Sequence, residues 1–375
     1  MAALSKRSNF HIIKRNNQPV WKMAVYYLVA IVVAMAIGAV LLSIMGINVG
    51  KYYKDMLTMG LLESAFPHKN IENLIKLFVP LVITSLALSL AFRMKFWNVG
   101  GEGQFTMGAL AAGAVAIKVG DKASPFVVLL LMAVVGGLVG GIYGMLVAVL
   151  KVKFNTNETL MTLMLNYIAF YILIYFDQNK KPWNFFLRED SERPVFRVIP
   201  ENAFMPCIKI GNFNLNISLL FSLLFMVFMF IYLKKTKHGY EVSVVGDSIN
   251  TAAYAGMKVN KIIIRTIFFS AFMIGVAGAL HVSTSHTLSE SITNDVGWTG
   301  VIVAWLAKLD PTGILITSVL ISVLQYGCQN ANTNFATVDA NFADLMQGLI
   351  LFAILVADFL LRFKIVKIQN KEEVE

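Results

Sequence analysis

Long runs of apolar side chains, separated by short polar stretches, organise this chain from end to end. The first run, Met23 to Met45, holds no charged residue. A bilayer core about 30 Å thick needs roughly 20 apolar residues per helix, and runs of that order recur along the sequence. The pattern predicts about ten spans, near residues 23–45, 71–91, 104–118, 126–150, 158–176, 216–233, 264–283, 297–307, 312–328 and 343–361, the third and eighth of them short. Between the first two spans, residues 52–66 are amphipathic and are expected to lie on a membrane surface rather than cross it. The fold class read from this pattern is all-α, a polytopic membrane protein with short or broken helices.

Composition agrees, because 57% hydrophobic and 14% charged residues in a chain of 375 exclude an ordinary soluble globular protein. The formal charge of +10 carries no basic and aromatic surface pattern, so the partner it implies is the bilayer and not nucleic acid. Lys and Arg gather in alternate loops, which places both termini on the cytoplasmic side. Residues 1–22, with Lys6, Arg7, Lys14, Arg15 and Lys22, form a cytoplasmic segment ahead of a retained first span, since no small-residue cleavage site follows. Residues 23–363 form the transmembrane domain, with an external loop at 177–215 and a cytoplasmic loop at 234–263, and residues 364–375 form a cytoplasmic tail. Four prolines in the external loop predict an ordered but irregular excursion, suited to docking something outside. Cys207 and Cys328 both fall on the outer side and are read as structural bystanders.

The segment from Arg93 to Gln104 reads Arg-Met-Lys-Phe-Trp-Asn-Val-Gly-Gly-Glu-Gly-Gln. Three glycines within four residues interrupt a helix, and irregular backbone at membrane depth occurs only where it is buried in protein or lines a watery cavity. That brings Asn98, Glu102 and Gln104 towards a pathway. The other reading of Glu102 is a cytoplasmic turn in which its carboxylate is solvated or caps the next helix. Val99-Gly100-x-x-Gly103 recurs as Val296-Gly297-x-x-Gly300, and the two motifs face opposite sides on this topology. Paired glycine-interrupted segments of that kind are expected of an inverted repeat.

Gly136, Gly137, Gly140, Gly141 and Gly144 let a neighbouring backbone approach the fourth span, which is a packing feature. Asn157 with Glu158 suits a helix N-terminus, and Asn166 within the fifth span either bonds a neighbouring helix or faces the pathway. In the cytoplasmic loop, Asp247 or Ser248 can cap a helix of about two turns that Gly256 ends in the left-handed conformation. Such a helix on that face is what a membrane subunit needs to engage a motor protein. No Gly-x-x-x-x-Gly-Lys-Ser/Thr loop and no His-Glu-x-x-His helix occurs, so any ATP is bound by another chain, and the five histidines lack metal-ligand spacing.

Three segments resemble those of a known family. Phe96-Trp-Asn-Val-Gly-Gly-Glu-Gly-Gln104 is similar to its Asn-Ile-Gly-x-Glu-Gly-Gln signature, with departures at Val99 and Gly101. With it go Asn157-Glu-Thr-Leu-Met-Thr-Leu-Met-Leu-Asn-Tyr167 and the Gly-x-x-x-x-x-x-Gly-x-x-x-x-x-Ala-Ala-Tyr-x-Gly pattern from Gly239 to Gly256. On these the chain resembles the permease subunits of ATP-binding cassette importers for branched-chain amino acids, simple sugars and nucleosides. It is closest to the nucleoside branch served by basic-membrane-protein-type receptors. The resemblance implies an ATPase subunit that carries ATP and Mg, a second permease chain of different sequence, and an external lipoprotein substrate-binding protein. It also implies a pathway shaped by Trp97, Asn98, Glu102, Gln104, Asn166 and Trp298. Coupling to the ATPase falls to Gly239, Asp247, Ser248, Ala252, Ala253, Tyr254 and Gly256. No cofactor on this chain and no enzymatic activity of its own are expected.

An ion-coupled secondary transporter of small polar solutes would share the broken helices, yet Glu102, Asp295 and Asp344 fall near helix ends and Asp358 near the inner end of the last span. A membrane-embedded enzyme would need clustered carboxylates, a metal site or a nucleophile with a base, and the sequence offers none.

Overall fold

The computed structural model describes residues 10–14, 19–59, 61, 66–335 and 341–367. Lys6, Arg7, Arg15 and Lys371 of the expected terminal segments lie outside the described residues, as do positions 60 and 62–65 of the amphipathic stretch. The helices in chain order are α1 (Val20–Ile44), α2 (Val49–Thr58), α3 (Pro67–Arg93), α4 (Gly101–Val119), α5 (Pro125–Phe154), α6 (Glu158–Gln178) and α7 (Ser218–Lys235). They continue as α8 (Lys237–Asp247), α9 (Ile249–Tyr254), α10 (Val259–Ser285), α11 (Val296–Leu306), α12 (Pro311–Asn334) and α13 (Asn341–Arg362). Four short strands accompany them: β1 (Phe10–Lys14), β2 (Cys207–Ile210), β3 (Phe213–Asn216) and β4 (Phe363–Lys367).

Among the described residues, 8 helices are long and apolar enough to cross a membrane. Each corresponds to one of the expected spans. The two stretches expected as short spans are helical, α4 with 19 residues and α11 with 11, and neither is among these 8. Local chemistry sets several boundaries. Proline takes the first helical position of α3 and of α5, where its missing N–H has no helical partner to lose. The Asn157 side chain accepts from the Leu160 N–H at 3.1 Å and caps α6, while Glu158 pairs with Lys151 at 2.9 Å.

The described residues fall into two compact units, one within 61–326 and one within 1–60 and 327–375. In the larger unit α3 is the central element. Every residue from Leu77 to Phe92 is buried, as expected of a helix apolar on all sides. The glycine stripe of α5 meets Gly275 of α10, where a side chain on either helix would strike the other's backbone. Residues 177–215 are ordered and mostly irregular, with β2 and β3 as an antiparallel hairpin. Phe186, Leu187, Phe196, Ile199 and Ala203 from this loop share one apolar cluster with Ala112 and Ala116 of α4, Val128 of α5 and Val282 of α10. The Asn202 side chain donates to the Gly120 carbonyl at 2.9 Å and ties the loop to the end of α4.

In the smaller unit, residues 52–58 of the amphipathic stretch belong to α2, whose Tyr52 and Met56 are buried in a cluster with Leu42, Cys328, Phe342 and Met346. Within the terminal segments, β1 and β4 pair in antiparallel register, Phe10 opposite Lys367 and Lys14 opposite Phe363. Among the described residues, this pairing, the β2–β3 hairpin and an isolated bridge between Leu187 and Phe196 are the extended pairings in an otherwise helical chain. Both cysteines are free, Cys207 exposed and Cys328 buried.

Candidate functional site

The two glycine motifs open α4 and α11, and the structure sets them against each other. Gly101 and Gly297 pass so closely that a Cβ on Gly297 would overlap the backbone nitrogen of Glu102. Each short helix lies along the long helix that precedes the other, α4 on α10 and α11 on α3. The glycines do not all break the helix, since α4 already runs through Gly101 and Gly103. They instead remove side chains where two helix N-termini converge.

Glu102 bridges the two motifs. Its Oε1 accepts hydrogen bonds from the backbone N–H of Gly297 at 2.7 Å and of Trp298 at 3.3 Å, and the Thr293 side chain hydrogen bonds to the same carboxyl. The first N–H groups of a helix have no partner within it, and a carboxylate there also meets the positive end of the helix dipole. Glu102 therefore caps a helix about 200 residues distant in sequence, neither the solvated turn nor the cap of its own next helix that the sequence offered.

Asn98, Gln104 and Asn166 hold the irregular backbone in place. Asn98 and Gln104 are buried and exchange amide hydrogen bonds at 3.2 and 3.1 Å, while Asn98 Oδ1 also accepts from the Gly100 N–H at 3.1 Å. Asn166 Oδ1 accepts from the Gly103 N–H at 2.8 Å and its Nδ2 donates to the Val99 carbonyl at 2.9 Å. Thr162 Oγ1 accepts from the Val99 N–H at 3.3 Å. These groups satisfy one another and the backbone of the break.

The aromatic members are the accessible ones. Trp298 is 40% exposed and Trp97 47%. The Trp97 ring stacks on Trp305 with centroids 5.2 Å apart and planes at 15°, and Phe92 completes the group. Trp305 was not singled out by the sequence; its spacing within α11 looks like any apolar helix, and only the fold brings it to Trp97.

The segment expected to engage a motor holds two helices. Thr236 caps α8 by accepting from the Gly239 N–H at 3.2 Å, and Gly239 sits where a Cβ would overlap the Tyr232 and Leu233 carbonyls. Asp247 is the last residue of α8, and Ser248 supplies the cap of α9, its Oγ accepting from Thr251 N–H at 3.2 Å. Gly256 follows α9 with φ +75°, a conformation that costs glycine little. Ala252 is buried, whereas Ala253 is exposed and Tyr254 is 93% exposed. The Arg265 guanidinium of α10 donates to Glu241 of α8 at 2.8 Å and holds its carboxyl below the usual carboxylate range, aided by His238 and opposed by burial. Among the described residues no group of three His, Cys, Asp or Glu side chains stands close enough to hold a metal ion.

Residues 70–355 match the family described as the permease component of the branched-chain amino acid transport system. The chain is 27% identical over 307 residues to the nucleoside ABC transporter permease protein NupB of Lactococcus lactis subsp. cremoris (strain MG1363), across 80% of this chain and 82% of that one. It is 25% identical over 352 residues to the guanosine ABC transporter permease protein NupP of Bacillus subtilis (strain 168), across 92% and 96%. The glucose ABC transporter permease protein TsgB13 of Haloferax volcanii is 22% identical over 365 residues, across 94% of this chain and 92% of the relative.

Proposed function

Because this chain belongs to the family of permease components of branched-chain amino acid transport systems, we propose that it is the membrane-spanning subunit of an ATP-binding cassette importer that carries nucleosides into the cell. Two of the relatives named for nucleosides or guanosine match it over most of their length, which favours that solute over a simple sugar. Both termini are cytoplasmic in this reading, ATP and Mg belong to a partner ATPase, and a second permease chain completes the pathway. An external lipoprotein receptor delivers the solute to the exposed part of residues 177–215, where Arg188, Asp190, Glu192 and Arg193 stand at the surface.

Transport follows an alternating-access cycle. The receptor docks outside, the ATPase closes on ATP, α9 conveys that movement, and the pathway opens to each side in turn. Trp97 and Trp298 supply stacking surfaces for a flat base. Asn98, Gln104 and Asn166 keep the backbone between α3 and α4 in the form that presents them, and Glu102 holds the start of α11.

The observation that carries this reading is α9, a helix of 6 residues capped by Ser248, anchored through buried Ala252 and presenting Ala253 and Tyr254 outward. It stands on a chain with no phosphate-binding loop of its own. The test is to purify the tagged chain gently from its native membrane and identify the proteins that accompany it. The wild type is expected to bring down an ATPase, and Ala253→Glu or Tyr254→Glu to lose it. If the chain comes out alone and, reconstituted by itself, moves nucleosides down an ion gradient, the importer reading is wrong.

A further inference from the structure

Arg93, the last residue of α3, joins three elements. Its carbonyl lies so close to Gly246 of α8 that a Cβ there would overlap the oxygen. Its guanidinium reaches the Leu309 carbonyl, Nη2 at 2.7 Å and Nε at 3.2 Å. Lys95 adds a contact from Nζ to the Asp247 carbonyl at 3.5 Å. The end of α8 thus meets the α3–α4 turn backbone to backbone, and that turn in turn holds the connection between α11 and α12.

A second strut reaches the same connection. Lys234, at the end of α7, pairs with Asp310 at 3.1 Å through Oδ1. The other oxygen, Oδ2, accepts from the N–H groups of Thr312 at 3.1 Å and Gly313 at 3.3 Å, and from the Thr312 hydroxyl. Asp310 therefore caps α12 while it binds α7. Lys308 and Leu309, immediately before it, have left-handed backbones at φ 53° and 61°. Side chains other than glycine hold that conformation only where their surroundings impose it, and the contacts to Leu309 and Asp310 impose it here.

We propose that Arg93 and the Lys234–Asp310 pair form the joint that passes movement of α8 and α9 to α11, whose other end Glu102 holds. The proposal rests on the reading of α9 as the contact for an ATPase. Gly246 leaves no slack against the Arg93 carbonyl, so a displaced α8 carries Arg93 with it. Arg93 and Lys234 then draw on Leu309 and Asp310. With its start capped by Glu102 at Gly297 and Trp298, α11 tilts as a rigid rod of 11 residues and moves Trp305, near its far end, relative to Trp97. Arg93, Lys234 and Asp310 are positioning residues that touch neither solute nor nucleotide.

The test uses the complete transporter, purified with its ATPase and receptor and reconstituted, with guanosine uptake and ATP hydrolysis measured on the same vesicles. Arg93→Met, Lys234→Met and Asp310→Asn are compared with Arg93→Lys, which keeps a donor for the Leu309 carbonyl, while Asn at 310 keeps an acceptor for the α12 cap. Hydrolysis is expected to continue, while guanosine moved per ATP falls about tenfold in Arg93→Met and about three- to fivefold in the other two, within the range seen for coupling residues. Arg93→Lys is expected to recover most of the ratio. An unchanged ratio in Arg93→Met and Lys234→Met would overturn the proposal; should Arg93→Met fail to assemble, Lys234→Met, whose side chain is largely at the surface, decides by itself. If the wild type recovers no ATPase, the importer reading falls first and takes this proposal with it.

Discussion

The carboxylate of Glu102 accepts the backbone N–H of Gly297 at 2.7 Å, across 195 positions of sequence. One acid thereby closes the contact between two helix starts that carry the same short motif. Two backbone N–H groups at the start of α11 satisfy an oxygen of a buried carboxyl that would be costly to leave without partners.

Replacing Glu102 by Ala leaves the N–H groups of Gly297 and Trp298 without an acceptor, which costs about 1–3 kcal/mol. Glu102→Gln keeps one oxygen as acceptor but replaces the other by an amide NH2, which donates and cannot accept. The expected order of thermal unfolding midpoints in detergent is wild type, then Gln, then Ala. Equal midpoints for all three would show that the cap does not bear on stability.

Gly297 and Gly300 belong to one motif but differ in room. A methyl at Gly297 overlaps the Glu102 nitrogen, whereas at Gly300 its nearest neighbours are side-chain atoms at 3.3 to 3.4 Å. Gly297→Ala is expected to cost about 3 kcal/mol, the upper part of the overpacking range, and to abolish uptake. Gly300→Ala is expected to retain most of both, read by thermal unfolding and vesicle uptake side by side.

Asn98, Gln104 and Asn166 bond the chain itself, so their Ala variants should lower the amount of folded protein and leave the solute concentration at half-maximal uptake within about twofold. Trp298→Ala is expected to do the reverse, raising that concentration with folded yield intact. A raised half-saturation in Asn166→Ala at normal yield would instead place its amide on the solute.

Burial alone would raise the Asp310 carboxyl, but hydrogen bonds from Thr312, Lys234 and Gly313 outweigh it and push its pKa down to about 2. Arg93 lies within electrostatic range of the same group. A carboxylate with a depressed folded pKa contributes stability above its unfolded value, and that contribution is lost as pH falls towards the folded one. Between about pH 4 and pH 2 the stability difference between wild type and Asp310→Asn should shrink towards zero. Unfolding midpoints of the two proteins across that interval check it.

The 8 long apolar helices were legible because about 20 apolar residues in a row have few other fates, whereas the glycines read as helix breaks prove in α4 to lie within the helix. The caps at Asn157, Ser248 and Gly256 were legible for a local reason, as their partners lie within four residues. Distant partners were not. Nothing in the neighbourhood of Glu102 names Gly297, and nothing near Arg93 names Leu309, although Asp310-Pro311 is itself a helix-start signal. The packing of Tyr52 and Met56 of α2 against Leu42, Phe342 and Met346 was not legible either, because an amphipathic pattern does not name what its apolar face meets.

That cluster has a temporal consequence. Leu42 and Phe342 share it, yet they are 300 positions apart (342 − 42). At roughly 5–20 residues per second, a ribosome needs about 15 to 60 s to pass from one to the other. For that interval α1 and α2 exist without the helix that completes their core. Their side of the molecule is thus the last to close during biosynthesis, and a chain halted before α13 leaves Tyr52 and Met56 without the Phe342 and Met346 side chains that share their cluster.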